Sequence, residues 1–250
     1  MSALGRQLSD SALRAAQRDS ELSRDELAAY AKKQKHAFLL DGYNNGKHRH
    51  DLERPNSDDP ERVERARQAT EYVNRSANGD EHAKNPFSGL SLDQLVLIAY
   101  DDSASFTINE RRAAWSGSSR LEYQWERGAV ARSQLESSST GKVPVFLTEV
   151  LNHYKALPLI EQVQDRFPEN YVAHMEAKIQ AESALPAGKR RKPAERGLNL
   201  YDILAQLSDP IKKTSEAKKA SSDEKSLART STLLISSAHA DGVYSLKTNN

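Results

Sequence analysis

The stretch Leu90–Trp115, LSLDQLVLIAYDDSASFTINERRAAW, decides the fold. It carries the longest apolar run of the chain, Leu95 to Tyr100, then a short acidic and serine-rich connection, then a second helix start. Ser91 precedes Gln94 by three residues. Its oxygen can accept from the Gln94 backbone N–H while the glutamine side chain returns to the Ser91 N–H, with Leu90 and Leu95 placed to pack across the first turn. Asp93 adds a negative charge at the positive end of the helix dipole. Thr107 and Glu110 repeat the box for a second helix. The stretch therefore reads as helix, tight loop, helix, with Phe106 as the one large apolar loop residue, expected to turn into the core.

Working outward, the same helix-start grammar recurs in LSRDEL: Ser23 caps, Glu26 reciprocates, and Leu22 faces Leu27. That helix is expected to run to about Leu40, where Asp41-Gly42 stops it. Asn44 to Pro55, containing KHRHD, reads as a polar loop. Pro60 behind two aspartates opens a helix with Val63, Ala66, Thr70 and Val73 on one face. The helix that starts at Thr107 is expected to pass Trp115, with an interruption near Gly117, and to reach about Leu135. Ser137 to Gly141 breaks it, and Pro144 opens a helix faced by Phe146, Val150, Tyr154 and Leu157. After Pro158 and Pro168 comes a last one, with Val172, Met175 and Ile179 on its apolar side.

No convincing strand alternation precedes Leu185, so the fold class is all-α. The expected architecture is a small irregular helical domain with disordered or weakly ordered N- and C-terminal extensions. Residues 1–21 are a polar, flexible segment, weakly helical at best. Residues 22–185 form the helical domain around the helix–loop–helix at 91–115. Residues 186–250 are a linker and a largely disordered tail, with 209–228 too poor in apolar side chains to offset chain entropy. The further elements expected there are one short helix over Leu198 to Leu207 and a weak hairpin around Asp241-Gly242.

Composition limits function. The chain has 250 residues, 37% hydrophobic and 28% charged, enough for one ordinary domain with extensions or two small ones. A net charge of +1 gives no bulk attraction to nucleic acid or membranes. There is no cysteine, hence no disulfide or thiolate chemistry. No segment has the apolar length of a membrane span or of a signal-peptide core, so the expected location is cytoplasmic, or exported without a cleaved signal.

Four groups of residues offer chemistry. Asp101, Ser103, Ser105 and Asn109 stand at oxygen-ligand positions of an EF-hand-like loop, but Phe106 replaces its glycine and Arg112 its closing glutamate, which argues against tight calcium binding. Asp102 and Glu110, near Trp115, Tyr123 and Trp125, have the composition of a sugar-cleaving site. A Thr107 cap would occupy that glutamate. His48, His50 and Asp51 cluster, and Glu149 and His153 share a helix face, yet two ligands do not close a metal site. Lys189, Arg190, Arg191 and Lys192 form the one basic run through which nucleic acid would be held; its simpler reading is a solvated linker. No catalytic residue, cofactor or phosphate loop is expected.

The string YDDSASFTINERRAAW, Tyr100 to Trp115, resembles a stretch of uncharacterised bacterial helical proteins, and the likeness extends through Val145 to Gln162. It implies a bacterial origin and a helical module, and brings no activity or site residue with it. The leading expectation is a non-enzymatic helical interaction protein with a protein partner, exported or effector-like. The alternatives are a calcium-responsive helix–loop–helix module and, behind it, a carbohydrate-active hydrolase.

Overall fold

The computed structural model describes residues 2–41 and 46–185, together with Leu200 and Leu204. Their regular elements are all helices, with no strand among the described residues. The helices are α1 (Ala3–Glu21), α2 (Arg24–Lys35), α3 (Lys47–Leu52), α4 (Pro60–Ala77), α5 (Leu92–Tyr100), α6 (Ile108–Thr140), α7 (Pro144–Ala156), α8 (Leu159–Gln162) and α9 (Tyr171–Ser183). α2 continues into a π-helical turn, His36–Leu40.

Both capping boxes of the central stretch form. Ser91 Oγ accepts from Gln94 N and Gln94 answers at Ser91 N; Thr107 and Glu110 do the same for α6. Ser23 and Glu26 make a third box at α2. α5 and α6 pack as a tight antiparallel pair. Gly117 makes room for Leu95 between them, since a Cβ there would lie 3.2 Å from Leu95 Cδ2. This is why α6 runs unbroken through Gly117: the glycine serves packing and does not end the helix. At 33 residues α6 is about 50 Å long. It stops where Gly141 adopts φ 75° and donates to Ser137 O.

Two cores form along α6. The first gathers Leu95, Ile98, Tyr100 and Phe106 with Leu27, Ala31, Phe87 and Ala113. Phe106 does turn inward, beneath the Arg65 guanidinium at 5.7 Å from its ring centre. The second gathers Phe146, Leu147, Val150 and Tyr154 of α7 with Phe167, Tyr171, Met175 and Ala129. Leu200 and Leu204 are buried there as well, so the packed body extends past Leu185. Leu200 N–H donates to Glu126 on α6, and Lys178 Nζ donates to Leu204 O.

Several local expectations change. Residues 3–21 form a docked 19-residue helix: Ala3, Gln7 and Ser11 are buried and Leu4 and Leu8 pack on the first core, a stripe whose two polar members an apolar-period search does not register. KHRHD lies in α3, whose buried His50 faces Asp41 and Glu53. Of the expected face of α4, Ala66 and Val73 are buried and Thr70 is half-buried, but Val63 is exposed; Ala69 and Arg65 are buried with them, the latter paired with Glu110. α9 buries Tyr171, Met175, Lys178 and Glu182 and leaves Val172 and Ile179 half-buried. The basic run 189–192, residues 209–228 and the 241–242 hairpin lie outside the described residues.

Candidate functional site

The central loop holds a cation already, and that cation is a guanidinium. Arg14 of α1 donates through Nη2 to Asp101 Oδ2 at 2.5 Å, and the same nitrogen lies 3.0 Å from Ser11 Oγ and 3.4 Å from Ser105 Oγ. Ser11 also donates to Asp101, and Ser103 N–H reaches Asp101 Oδ1 at 2.9 Å. Burial acts to raise the Asp101 carboxyl, but the hydrogen bonds from Arg14, Ser103 and Ser11 outweigh it and hold the group below the usual carboxylate range. Gln7 and Arg62 add bonds to Ser105 O at 2.6 and 3.2 Å.

Two of the four EF-hand-like positions, Asp101 and Ser105, thus meet at Arg14, and a third, Ser103, bonds to both of them. The fourth does not join them. Asn109 donates from Nδ2 to His50 O, Asp51 Oδ1 and Thr70 Oγ1, tying α6 to α3 and α4. The loop is a helix-docking device: α1 is held along its middle by these contacts and at its N-terminus by Glu61, which accepts from Ala3 N and Leu4 N at 2.9 and 3.1 Å.

The carboxylates of the hydrolytic reading are separated in role. Glu110 has no solvent exposure; it bonds Thr107 N and pairs with Arg65 Nε at 2.8 Å, while Arg65 Nη2 reaches Gln7 Oε1 at 2.6 Å. Asp102 is exposed and accepts from Gln34, which in turn accepts from Arg111. Arg111 Nε and the Tyr30 hydroxyl bond the last carbonyls of α5, at Ala99 and Tyr100. Burial, with the Asp102 charge behind it, pushes the Tyr30 hydroxyl up to about 12, so it stays a donor at neutral pH.

The metal candidates part company too. Glu149 pairs with Arg132, His153 with Glu122, and Asp51 with Lys47 at 2.5 Å. Among the described residues no three His, Asp or Glu side chains converge as a metal cage requires.

A surface the sequence did not single out lies over the second core. Trp125 of α6 and His153 of α7 stack with ring centres 3.5 Å apart and planes at 10°. Glu122, one turn before Trp125, holds His153 Nε2 at 3.1 Å from both carboxylate oxygens. The pair floors an open groove of about 660 Å³, walled by Val145, Thr148 and Asn152 of α7 and by Ile179 of α9. Val145 is 70% exposed, a large apolar side chain left in water beside two aromatic rings. The Glu122-to-Trp125 spacing was the available signal, but nothing in sequence fixes which residue of α7 meets it. No protein-family model matches the chain, and neither a curated protein nor a solved structure matches it.

Proposed function

We propose that the chain is a non-enzymatic helical protein that binds a partner protein through the groove above the Trp125–His153 stack. The observation that supports it most directly is Val145, exposed beside a rigid aromatic floor. Interface energy concentrates where a flat aromatic anchor sits in a concave surface, and Trp is the commonest such anchor. The imidazole is fixed by Glu122 from one side and by the indole from the other, so the floor is ordered before any partner arrives, which lowers the entropy cost of binding. Its fit is to apolar side chains of a partner segment, received between Val145 and Ile179. Asp101 and Ser105 are engaged in holding α1 and Glu110 in pairing with Arg65, which favours this reading over the calcium-responsive and hydrolytic ones.

The test is a photo-reactive amino acid placed at Thr148 in the cell that makes the protein. The expected result is one discrete protein adduct, lost in Trp125→Ala and in Val145→Arg while helicity is unchanged. The absence of an adduct, or the same adducts from a probe at the exposed Leu13 on α1, would overturn the proposal.

A further inference from the structure

A second concavity lies on the first core, away from the groove. It has a volume of about 840 Å³ and is bounded by the later turns of α4, the segment 82–88 and the middle of α6. Arg75 contributes one wall and is neutralised there, with Nη2 2.6 Å from Asp80 Oδ2 and Nη1 3.3 Å from Glu71 Oε1. Lys84 and Arg120 come to the same cleft from two different elements. Both are exposed, and among the described residues neither is paired with a carboxylate. On a chain whose net charge is only +1, two uncountered cations in one concavity are a local excess. Tyr72 and Pro86 supply uncharged surface beside them, and Tyr72 is oriented by Ser116 at 2.7 Å.

The charge count selects the ligand. A carboxylate would answer one of the two cations. A phosphate monoester carries about −1.5 to −2 at neutral pH, with three acceptor oxygens, and answers both. The planar fork of Arg120 suits two of those oxygens and the point charge of Lys84 the third. The cleft is several times larger than a phosphate group, and the surplus lies against Tyr72 and Pro86. We propose that this cleft binds a small molecule bearing a phosphate monoester, with Lys84 and Arg120 holding the phosphate.

The probe is phenyl phosphate, titrated into the full chain and followed by amide and guanidinium NMR, with inorganic phosphate, benzoate and sodium chloride at matched ionic strength. Saturable shifts confined to residues 82–88 and Arg120 are expected, tighter for phenyl phosphate than for inorganic phosphate and absent with chloride. Lys84→Gln and Arg120→Gln should each weaken binding about tenfold, the usual effect of losing one charge-assisted contact. Arg132→Gln, which removes a paired surface arginine, should leave it unchanged. Shifts that follow ionic strength alone, an equal response to benzoate, phenyl phosphate no tighter than inorganic phosphate, or wild-type affinity in Lys84→Gln/Arg120→Gln would each overturn the proposal.

Discussion

Around the first half of α6 the chain is positioned by buried side chains that bond to one another through charge; around the second half it is positioned chiefly by aromatic rings. In the first core two buried polar groups lie among the apolar side chains, Arg65 bonded to Glu110 and Gln7, and Arg111 bonded to Gln34. In the second, Tyr154, Phe167 and Tyr171 form a three-ring cluster with centres 4.6–5.0 Å apart. The second core also buries charge, but against backbone: Lys178 Nζ donates to Leu204 O and Glu182 accepts from Val143 N–H, while the Arg132–Glu149 pair lies at the surface. A buried ion pair adds little net stability but penalises every alternative arrangement, because any other packing strands a charge. Aromatic packing is more forgiving of shifts. The first core therefore specifies where α1, α4 and α6 sit, and the second leaves an open aromatic surface beside it.

The contrast is easiest to break at its strongest point. Glu110→Ala leaves the Arg65 guanidinium buried without its partner and should cost about 3–5 kcal/mol in urea melts. A loss near that of an ordinary surface change would show that the pair positions nothing. Phe167→Ala in the aromatic cluster should cost a similar or slightly smaller amount, about 3–4 kcal/mol, with no change on acidification.

Acid should separate the two cores. The carboxyls of Asp101 and Glu61 both lie below their ordinary values in the folded chain, the first against its own burial and the second through bonds from Ala3 and Leu4. A depressed folded pKa means that the stabilisation is complete above the unfolded value. It fades as pH drops below about 4 and is gone once the folded groups protonate. Amide exchange in α1 should therefore accelerate below that pH before exchange in α7 does, and Asp101→Asn should accelerate it already at neutral pH. Equal protection of α1 and α7 down to global unfolding would remove the distinction.

Two smaller effects sharpen the picture of the loop. Thr107→Ala should cost about 0.5–2 kcal/mol, the same with calcium as with a chelator, because the loop oxygens hold Arg14. A calcium-dependent rise in melting temperature, lost in Asp101→Asn, would restore the ion-binding reading. Ala104 sits at φ 62°, a left-handed conformation that costs a residue with a Cβ about 1 kcal/mol, so Ala104→Gly should raise stability by roughly that amount.

Local rules made the α5–loop–α6 unit legible. Capping boxes depend on residues three apart, and Phe106 had no neighbour that could keep it in water. The position of α1 was hidden because its docking stripe, Gln7, Ser11 and Arg14, becomes cohesive only when Asp101 and Ser105 arrive from some ninety residues away. Gly117 misled for a related reason: a helical glycine reads as a break unless the leucine that needs its missing Cβ is known. The Trp125–His153 floor depends on the turn at Gly141 bringing α7 back along α6, which no spacing within either helix encodes.

α6 is longer than either core that it serves. Its fully buried residues fall in two groups, ending at Ser118 and resuming at Ala129, and the ten positions between them are held by half-buried contacts alone: Leu121 against the first core, Trp125 against the second, Glu122 on His153 and Glu126 on Leu200 N. That interval is a splice, in which one core hands the helix to the other without a gap. Because both cores share this single axis, they should melt in one calorimetric transition, and glycines at the exposed Gln124 and Arg127 should lower that transition as a whole by about 1 kcal/mol each.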